Sequence, residues 1–149
     1  MKVNDEEITP GLVVQLDTAV VRALGGAHTN AVLGNDGDRA VVGTHLFLIV
    51  SVDAATRLCT AVPIFAKSAV GNQPLDNAKK VGTADHWHTT DSYFSHWQHW
   101  RIPASSIAAA SLTEPTIPTM RRSYAANDRS ALDDIKNWEG RNRASYRDA

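Results

Sequence analysis

The clearest pattern of apolar positions lies in the middle of the chain, where two strand-like runs follow one another. Residues 43–53 read Gly-Thr-His-Leu-Phe-Leu-Ile-Val-Ser-Val-Asp, and residues 57–65 read Arg-Leu-Cys-Thr-Ala-Val-Pro-Ile-Phe. The short connection between them, led by an aspartate, predicts an antiparallel hairpin. Because the run from Leu46 to Val50 is almost continuously apolar, the first of the two is predicted to be a central strand buried on both faces.

Other segments with strand character flank this hairpin. The Pro10-Gly11 pair is a turn signal and predicts a first strand from about Leu12. Residues 23–38 are rich in Gly, Asn and Asp, which predicts a long loop or a ragged hairpin. Residues 93–102 are rich in aromatic side chains and predict a further strand. In an extended strand, alternate residues share a face: Tyr93, Ser95, Trp97, His99 and Arg101 on one, and Phe94, His96, Gln98, Trp100 and Ile102 on the other.

The pattern changes after residue 112. The two prolines in residues 113–119 indicate a linker, and the linker is predicted to extend to residue 129. Leu132, Ile135 and Trp138 then form one apolar stripe at helical spacing, with Ser130 placed to cap the helix. The sequence therefore predicts a β domain over residues 1–112, a linker over residues 113–129 and a C-terminal helical tail over residues 130–149.

Several of these elements resemble the MazF/PemK family of toxin-antitoxin ribonucleases. The Pro10-Gly11-Leu-Val-Val segment is similar to the family's first strand. Residues 43–51 are similar to its glycine, basic pair, proline and buried strand ending in serine, and residues 58–64 to its second strand ending in Val-Pro. The resemblance covers residues 8–71 and implies a mainly β fold, a small SH3-like barrel, here followed by the C-terminal α-helix. It also implies a homodimer that cuts single-stranded RNA and has an antitoxin-like protein partner.

The chain departs from this family at the positions that carry cleavage. The family's arginine and proline after the loop fall here near His45, Leu46 and Phe47, and its threonine or serine falls near Phe65 and Ala66. His45 is the candidate catalytic replacement, since a histidine titrates near neutral pH and can act as a general base or stabilise a phosphate. We therefore expect a non-catalytic binding or regulatory module, with a toxin-type endoribonuclease as the alternative.

The charge balance limits the partners that the whole molecule can attract. The 149 residues, a length that suits one domain, carry a formal net charge of −1. There is consequently no global attraction to nucleic acid, and any such binding must be local. The basic residues are concentrated in residues 121–147, where interleaved carboxylates favour an ordinary solvated helix over a docking arm.

The apolar runs, the first residues and the single cysteine of the sequence indicate where the protein is located and whether it has thiol chemistry. No apolar stretch approaches the roughly 20 residues that span a bilayer, and the acidic start lacks the pattern of a secretory signal, so we expect a cytoplasmic protein without membrane contact. The single cysteine, Cys59, lies in an apolar run and is expected to be a buried thiol without a catalytic role. Glycine-rich phosphate loops, nucleophile elbows, paired cysteines and dinucleotide fingerprints are absent from the sequence.

Four of the six histidines cluster in two short motifs, residues 85–88 and 96–99. On a strand, His86 and His88 would point to the same side, and Asp85 or Asp91 could complete a zinc or other transition-metal site. The simpler interpretation is that these histidines flank tryptophans on a partly exposed sheet. We therefore expect no cofactor and keep a His-ligated metalloprotein as a second alternative.

Aromatic and basic side chains in the same region suggest a surface for single-stranded RNA. Aromatic rings could stack on bases, and nearby cations could contact phosphates, although aromatic residues at strand spacing are more often part of a core or a dimer interface. The expected partner is RNA or another protein. The candidate residues for nucleic-acid or ligand binding are Lys79, Lys80, Tyr93, Trp97, His99 and Arg101.

Overall fold

A hairpin at the centre of the fold organises one antiparallel sheet. The computed structural model describes residues 3–31, 40–68, 72–82, 85–95, 98–112, 122–137 and 146–149. The hairpin strands are β3 (Thr44–Val52) and β4 (Leu58–Phe65), as predicted. The Asp53 carboxylate closes the turn by accepting hydrogen bonds from the backbone N–H groups of Ala55 at 2.9 Å and Thr56 at 2.8 Å.

The remaining strands extend the sheet on both sides of this hairpin. They are β1 Leu12–Asp17, β2 His28–Thr29, β5 Asn72–Pro74, β6 Lys80–Gly82, β7 Tyr93–Ser95, β8 Trp100–Pro103, β9 Ser111–Leu112, β10 Arg122–Tyr124 and β11 Arg147–Asp148. On one side, β3 pairs with β1, which pairs with β9 and β10, and β10 pairs with β6. On the other side, β4 pairs with β7 and β8, β7 pairs with β5, and β8 pairs with β2, which pairs with β11.

The prediction of a mainly β fold is confirmed, whereas the sheet is not closed into a barrel. Within the described ranges the path of paired strands runs from β11 to β6, and these two end strands do not pair with each other. The SH3-like barrel expected from the sequence is therefore not confirmed, because the sheet in the described ranges is open. An open sheet leaves two faces to be covered, and helices and loops cover them.

Two hydrophobic cores lie on opposite faces of β3, which confirms that this strand is central. Phe47 and Ile49 belong to one core, and Leu48 and Val50 to the other. The first core also contains Leu16, Val21, Cys59, Ala61, Trp100, Ile102 and Ile107. The second core also contains Val13, Val62, Ile64, Leu75, Trp87, Phe94, Tyr124, Ala125, Ala131, Leu132 and Ile135.

The aromatic segment predicted as one strand is divided into two. Ile64 pairs with Phe94, and Ala61 pairs with Trp100. Between these two pairs the register moves by three positions along β4 and by six positions along the partner segment. An insertion of three residues is odd, and it moves the side chains that follow to the other face of the sheet. Phe94 therefore lies in the second core and Trp100 in the first, although the sequence predicted that they share a face.

Four α-helices and two short 3-10 helices, at Asp5–Glu7 and Asn77–Lys79, complete the described part of the chain. Helix α1 (Thr18–Leu24) was not predicted from the sequence. Asp17 caps it by accepting a hydrogen bond from the N–H of Ala19 at 2.9 Å. No helix in the described ranges is long and apolar enough to cross a membrane. The helices are α1 Thr18–Leu24, α2 Asp85–Thr89, α3 Ala104–Ala110 and α4 Arg129–Asn137.

The C-terminal part of the chain contributes a strand to the sheet and a helix to the second core. Residues 122–124, within the predicted linker, form β10 and lie between β1 and β6. The predicted helix is present as α4, and its Leu132 and Ile135 are buried in the second core. Trp138, the third residue of the predicted stripe, falls outside the described ranges.

Candidate functional site

A cleft opens where the ends of β3 and β4 meet α2 and β10. We call this cavity of about 180 Å³ the α2 cleft. Apolar side chains from the sheet and from α2 form part of its lining, and polar groups from the segment after α2 and from β10 form the rest. Its lining residues are Leu46, Ile64, Phe65, Ala66, His86, Trp87, Thr90, Asp91, Ser92 and Arg122.

Trp87 fixes α2 against the sheet. Only 4% of its surface is exposed, and its indole N–H donates a hydrogen bond to the backbone carbonyl of Ser123 at 3.1 Å. A ring nitrogen of His88 lies 2.7 Å from the carbonyl oxygen of Gly82, which ties the same helix to β6. The wall that α2 contributes to the cleft is thus held by contacts to two strands.

Lys80 holds the segment that follows α2. Its side chain is buried, and Nζ donates hydrogen bonds to the carbonyl oxygen of Thr90 at 2.6 Å and to Oγ of Ser92 at 2.9 Å. Nζ also lies 4.3 Å from the centroid of the Trp87 ring, within the range of a cation–π contact. Burial lowers the pKa of Lys80, and the nearby Asp91 carboxylate acts in the opposite direction. The ammonium group therefore places positive charge next to three residues that line the cleft.

Arg122 brings an unused hydrogen-bond donor to the cleft. The residue lies on β10 and is half-buried, and its Nε is buried without a hydrogen-bond partner in the described part of the chain. A buried donor without a partner costs about 1–3 kcal/mol, and such groups are rare in folded proteins. A ligand with an acceptor in the cleft would satisfy this group.

The structure disperses the six residues predicted to bind nucleic acid or another ligand. Lys79 is half-buried and its Nζ lies 3.4 Å from a carboxylate oxygen of Asp128. The guanidinium carbon of Arg101 lies 3.7 Å from the ring centroid of Tyr146. Tyr93 is half-buried on β7, and His99 is fully buried at the break between β7 and β8.

Of the described residues in that predicted set, only Lys80 adjoins the α2 cleft, and it does so from behind the lining. Trp97, and with it the neighbouring His96, falls outside the described ranges. The predicted surface is therefore not assembled as one face by the residues that the structure describes.

His45, the candidate catalytic residue, is not among the described lining residues of the α2 cleft. Its ring packs edge-on against Phe65 and Phe47, with centroid distances of 5.1 and 6.0 Å. Burial lowers the pKa of His45 below its ordinary value of 6.5, and a hydrogen bond with the backbone of Ile64 partly offsets this effect. Nε2 is buried and has no hydrogen-bond partner among the described residues. Because Leu46 lines the cleft, its neighbour His45 lies on the opposite face of β3.

The two candidate metal ligands, His86 and His88, lie on a helix and not on a strand. Residues two apart on an α-helix are rotated by about 200° relative to each other, so the two imidazoles do not converge. In the parts of the chain that the structure describes, no three His, Cys, Asp or Glu side chains are grouped to hold a metal ion. Cys59 is buried as expected, and burial raises the pKa of its thiol to about 11.

Arg122 and Asp91 are the cleft residues that the sequence prediction missed as binding groups. Asp91 lies beside Asn77, whose side-chain amide donates a hydrogen bond to it at 3.2 Å. Arg122 lies two residues before the buried Tyr124 on β10, and no local pattern in the sequence distinguished it as a binding group.

No protein-family model matches this chain, and comparisons with the curated proteins and with the solved structures found no match either.

Proposed function

We propose that this protein is a non-catalytic module that binds single-stranded RNA and takes up one base in the α2 cleft. The observation that carries the proposal is the buried Nε of Arg122, a donor that lacks a partner in the described part of the chain and belongs to a residue of the cleft lining. The base edge offers acceptors for such a donor, and sequence-specific recognition of RNA uses unstacked bases of this kind.

The size of the cleft favours part of a long ligand over a whole small molecule. Pockets that enclose drug-sized ligands measure about 300–1,000 Å³. The α2 cleft, at about 180 Å³, is smaller than that range. It suits one flat group that projects from a longer chain, which is how a base projects from single-stranded RNA.

The chemistry of the lining supports the same ligand. Ile64 and Trp87 supply apolar contact for the faces of a base, while Arg122 can donate to its edge and Asp91 can accept from an amino group. The Lys80 ammonium adds positive charge close to this group. With a net charge of −1 the molecule has no general attraction for RNA, so local charge at the cleft must supply it.

The experiment is a binding titration of labelled single-stranded RNA, followed by fluorescence anisotropy, with the wild type and two charge-matched variants. Arg122→Gln removes the cleft donor and is expected to weaken binding about tenfold, the equivalent of roughly 1.4 kcal/mol. Arg101→Gln removes the same charge next to Tyr146 and is expected to change affinity less than about twofold. Thermal melts followed by circular dichroism would show that both variants keep the fold.

Three results would overturn this proposal. If no RNA binds, or if both variants weaken binding equally, the cleft is not a specific RNA site. If the RNA is cut during the titration, the endoribonuclease alternative replaces the non-catalytic module. His45→Ala would then test the catalytic prediction, because a catalytic His45 requires that cleavage is lost while the fold is kept.

A further inference from the structure

A second groove lies at the other end of β3, between α4 and the β3–β4 turn. We call this cavity of about 380 Å³ the α4 groove. Val50, Ser51 and Val52 line it from β3, whereas Leu46 lines the α2 cleft, so the two cavities occupy different stretches of the same strand. The remaining lining residues are Ile8, Thr9, Pro10, Ala54, Arg57, Arg129, Asp133 and Lys136.

The charges around the α4 groove are mostly positive. Among the described lining residues, Arg57, Arg129 and Lys136 carry three positive charges against one carboxylate, that of Asp133, and Arg57 is paired with Asp5 outside the lining. Asp133 is one helical turn from both Arg129 and Lys136. Even so, neither cation makes an ion pair within 4 Å with any described residue. These two cations are therefore available to a ligand.

Arg57 is held in a strained backbone conformation beside this groove. Its φ of 58° is left-handed, a conformation that costs a non-glycine residue roughly 1–2 kcal/mol. Glycine or asparagine is the usual residue at such a turn position. The guanidinium is oriented by Asp5, whose carbonyl oxygen lies 2.9 Å and carboxylate oxygen 3.3 Å from the same terminal nitrogen. Backbone strain of this kind is concentrated at ligand sites, where side-chain function outweighs it.

We propose that the α4 groove binds the phosphate group of a small phosphorylated ligand. Two arginines offer planar donor groups that match phosphate oxygens, and Lys136 adds a third cation. The hydroxyl groups of Thr9 and Ser51 belong to residues of the same lining and supply neutral donors. At about 380 Å³ the groove falls within the range of pockets that hold whole small molecules. This inference is independent of RNA binding at the α2 cleft.

The test is a titration of the full chain with inorganic phosphate at constant ionic strength, followed by NMR of backbone amides and arginine Nε–H groups. We expect saturable shifts confined to residues 8–10, 50–57 and 129–136. Arg129→Gln and Lys136→Gln should each weaken binding by about threefold or more. Asp133→Asn should tighten binding, because it removes the one carboxylate of the lining while keeping the size of the side chain.

The matched control is Lys67→Gln, which removes one positive charge from an exposed position outside the groove. Equal weakening by Lys67→Gln and Arg129→Gln, or identical shifts when chloride replaces phosphate, would mean a general counter-ion effect and would overturn the proposal. Absence of phosphate binding combined with weaker RNA binding in the groove variants would instead assign the groove to RNA. If Arg122→Gln alone loses RNA binding, the phosphate proposal is unaffected, because the phosphate titration tests it separately.

Discussion

Gly11 shows how one residue decides where three strands can meet. Its N–H donates to the carbonyl oxygen of Ile49 at 2.7 Å, and its own carbonyl accepts from the N–H of Tyr124 at 2.8 Å. A Cβ at this position would lie 2.9 Å from the carbonyl oxygen of Tyr124 and 3.0 Å from Cα of Ala126. The backbone φ is also +96°, a value that side chains disfavour. The Pro10-Gly11 turn predicted from the sequence is thus also a point of close backbone approach.

Substitution of this glycine is expected to cost more than the same change where space is open. Gly43 also has a positive φ, but no atom lies within 4 Å of a Cβ built on it. Gly11→Ala should therefore lose roughly 1–3 kcal/mol more of the free energy of unfolding than Gly43→Ala, because it adds overpacking to backbone strain. Urea unfolding of the two variants measures this difference. Equal losses would show that the neighbouring strand moves aside without cost.

At the scale of single elements, Asp128 caps α4. Its carboxylate accepts hydrogen bonds from Oγ of Ser130 at 2.7 Å and from the backbone N–H of Ala131 at 3.2 Å. The sequence predicted Ser130 as the cap, whereas the structure shows that Ser130 donates to the carboxylate that performs this role. These two bonds, with a smaller contribution from Lys79, hold the pKa of Asp128 below its ordinary value of 3.8. The charged form is therefore favoured in the folded state.

This cap predicts that the wild type is more stable than Asp128→Asn and that the difference depends on pH. Asp128→Asn keeps an acceptor and should melt at a higher temperature than Asp128→Ala at neutral pH. Since the folded pKa of Asp128 lies below the unfolded value, the stabilisation from its charge is present above that unfolded value. It is lost as the pH falls through the folded pKa. Thermal melts should show the advantage of the wild type over Asp128→Asn shrinking below a pH of about 4. An advantage independent of pH would contradict this account.

At the scale of the whole molecule, the second core joins residues that are far apart in the sequence. Leu48, Val50 and Val62 of the central hairpin pack in the same core as Leu132 and Ile135 of α4. The hydroxyl oxygen of Tyr124 also accepts a hydrogen bond from the backbone N–H of Asp76 at 3.1 Å. Residues after 112, predicted as a linker and a helical tail, therefore help to cover one face of the sheet.

Truncation tests this dependence. A chain that ends at Leu112 would expose the face covered by five buried residues, namely Tyr124, Ala125, Ala131, Leu132 and Ile135. Burial of a large apolar side chain contributes about 1.5–3 kcal/mol, and whole domains are stable by only about 5–15 kcal/mol. The truncated chain is expected to show no cooperative transition in urea, followed by tryptophan fluorescence. A transition with the wild-type midpoint would restore residues 1–112 as an independent domain.

The sequence by itself determined the elements whose signals are local. The β3–β4 hairpin, the start of β1 and the apolar stripe of α4 each follow from residues within one turn or one strand. Hydrophobic periodicity and turn chemistry act over a few residues, so they can be recognised without knowledge of the rest of the fold. The burial of Cys59 followed in the same way from its apolar neighbours.

Only the tertiary structure decided which residues meet. The three-residue insertion between β7 and β8 depends on pairing with β4, and the open sheet depends on which end strands find partners. The α2 cleft combines β3, β4, α2 and β10, which lie tens of residues apart, and its lining includes Arg122 but none of the described residues that were predicted to bind nucleic acid or another ligand. Long-range pairing and burial set these contacts, and a local pattern contains no information on the partner that a side chain will have.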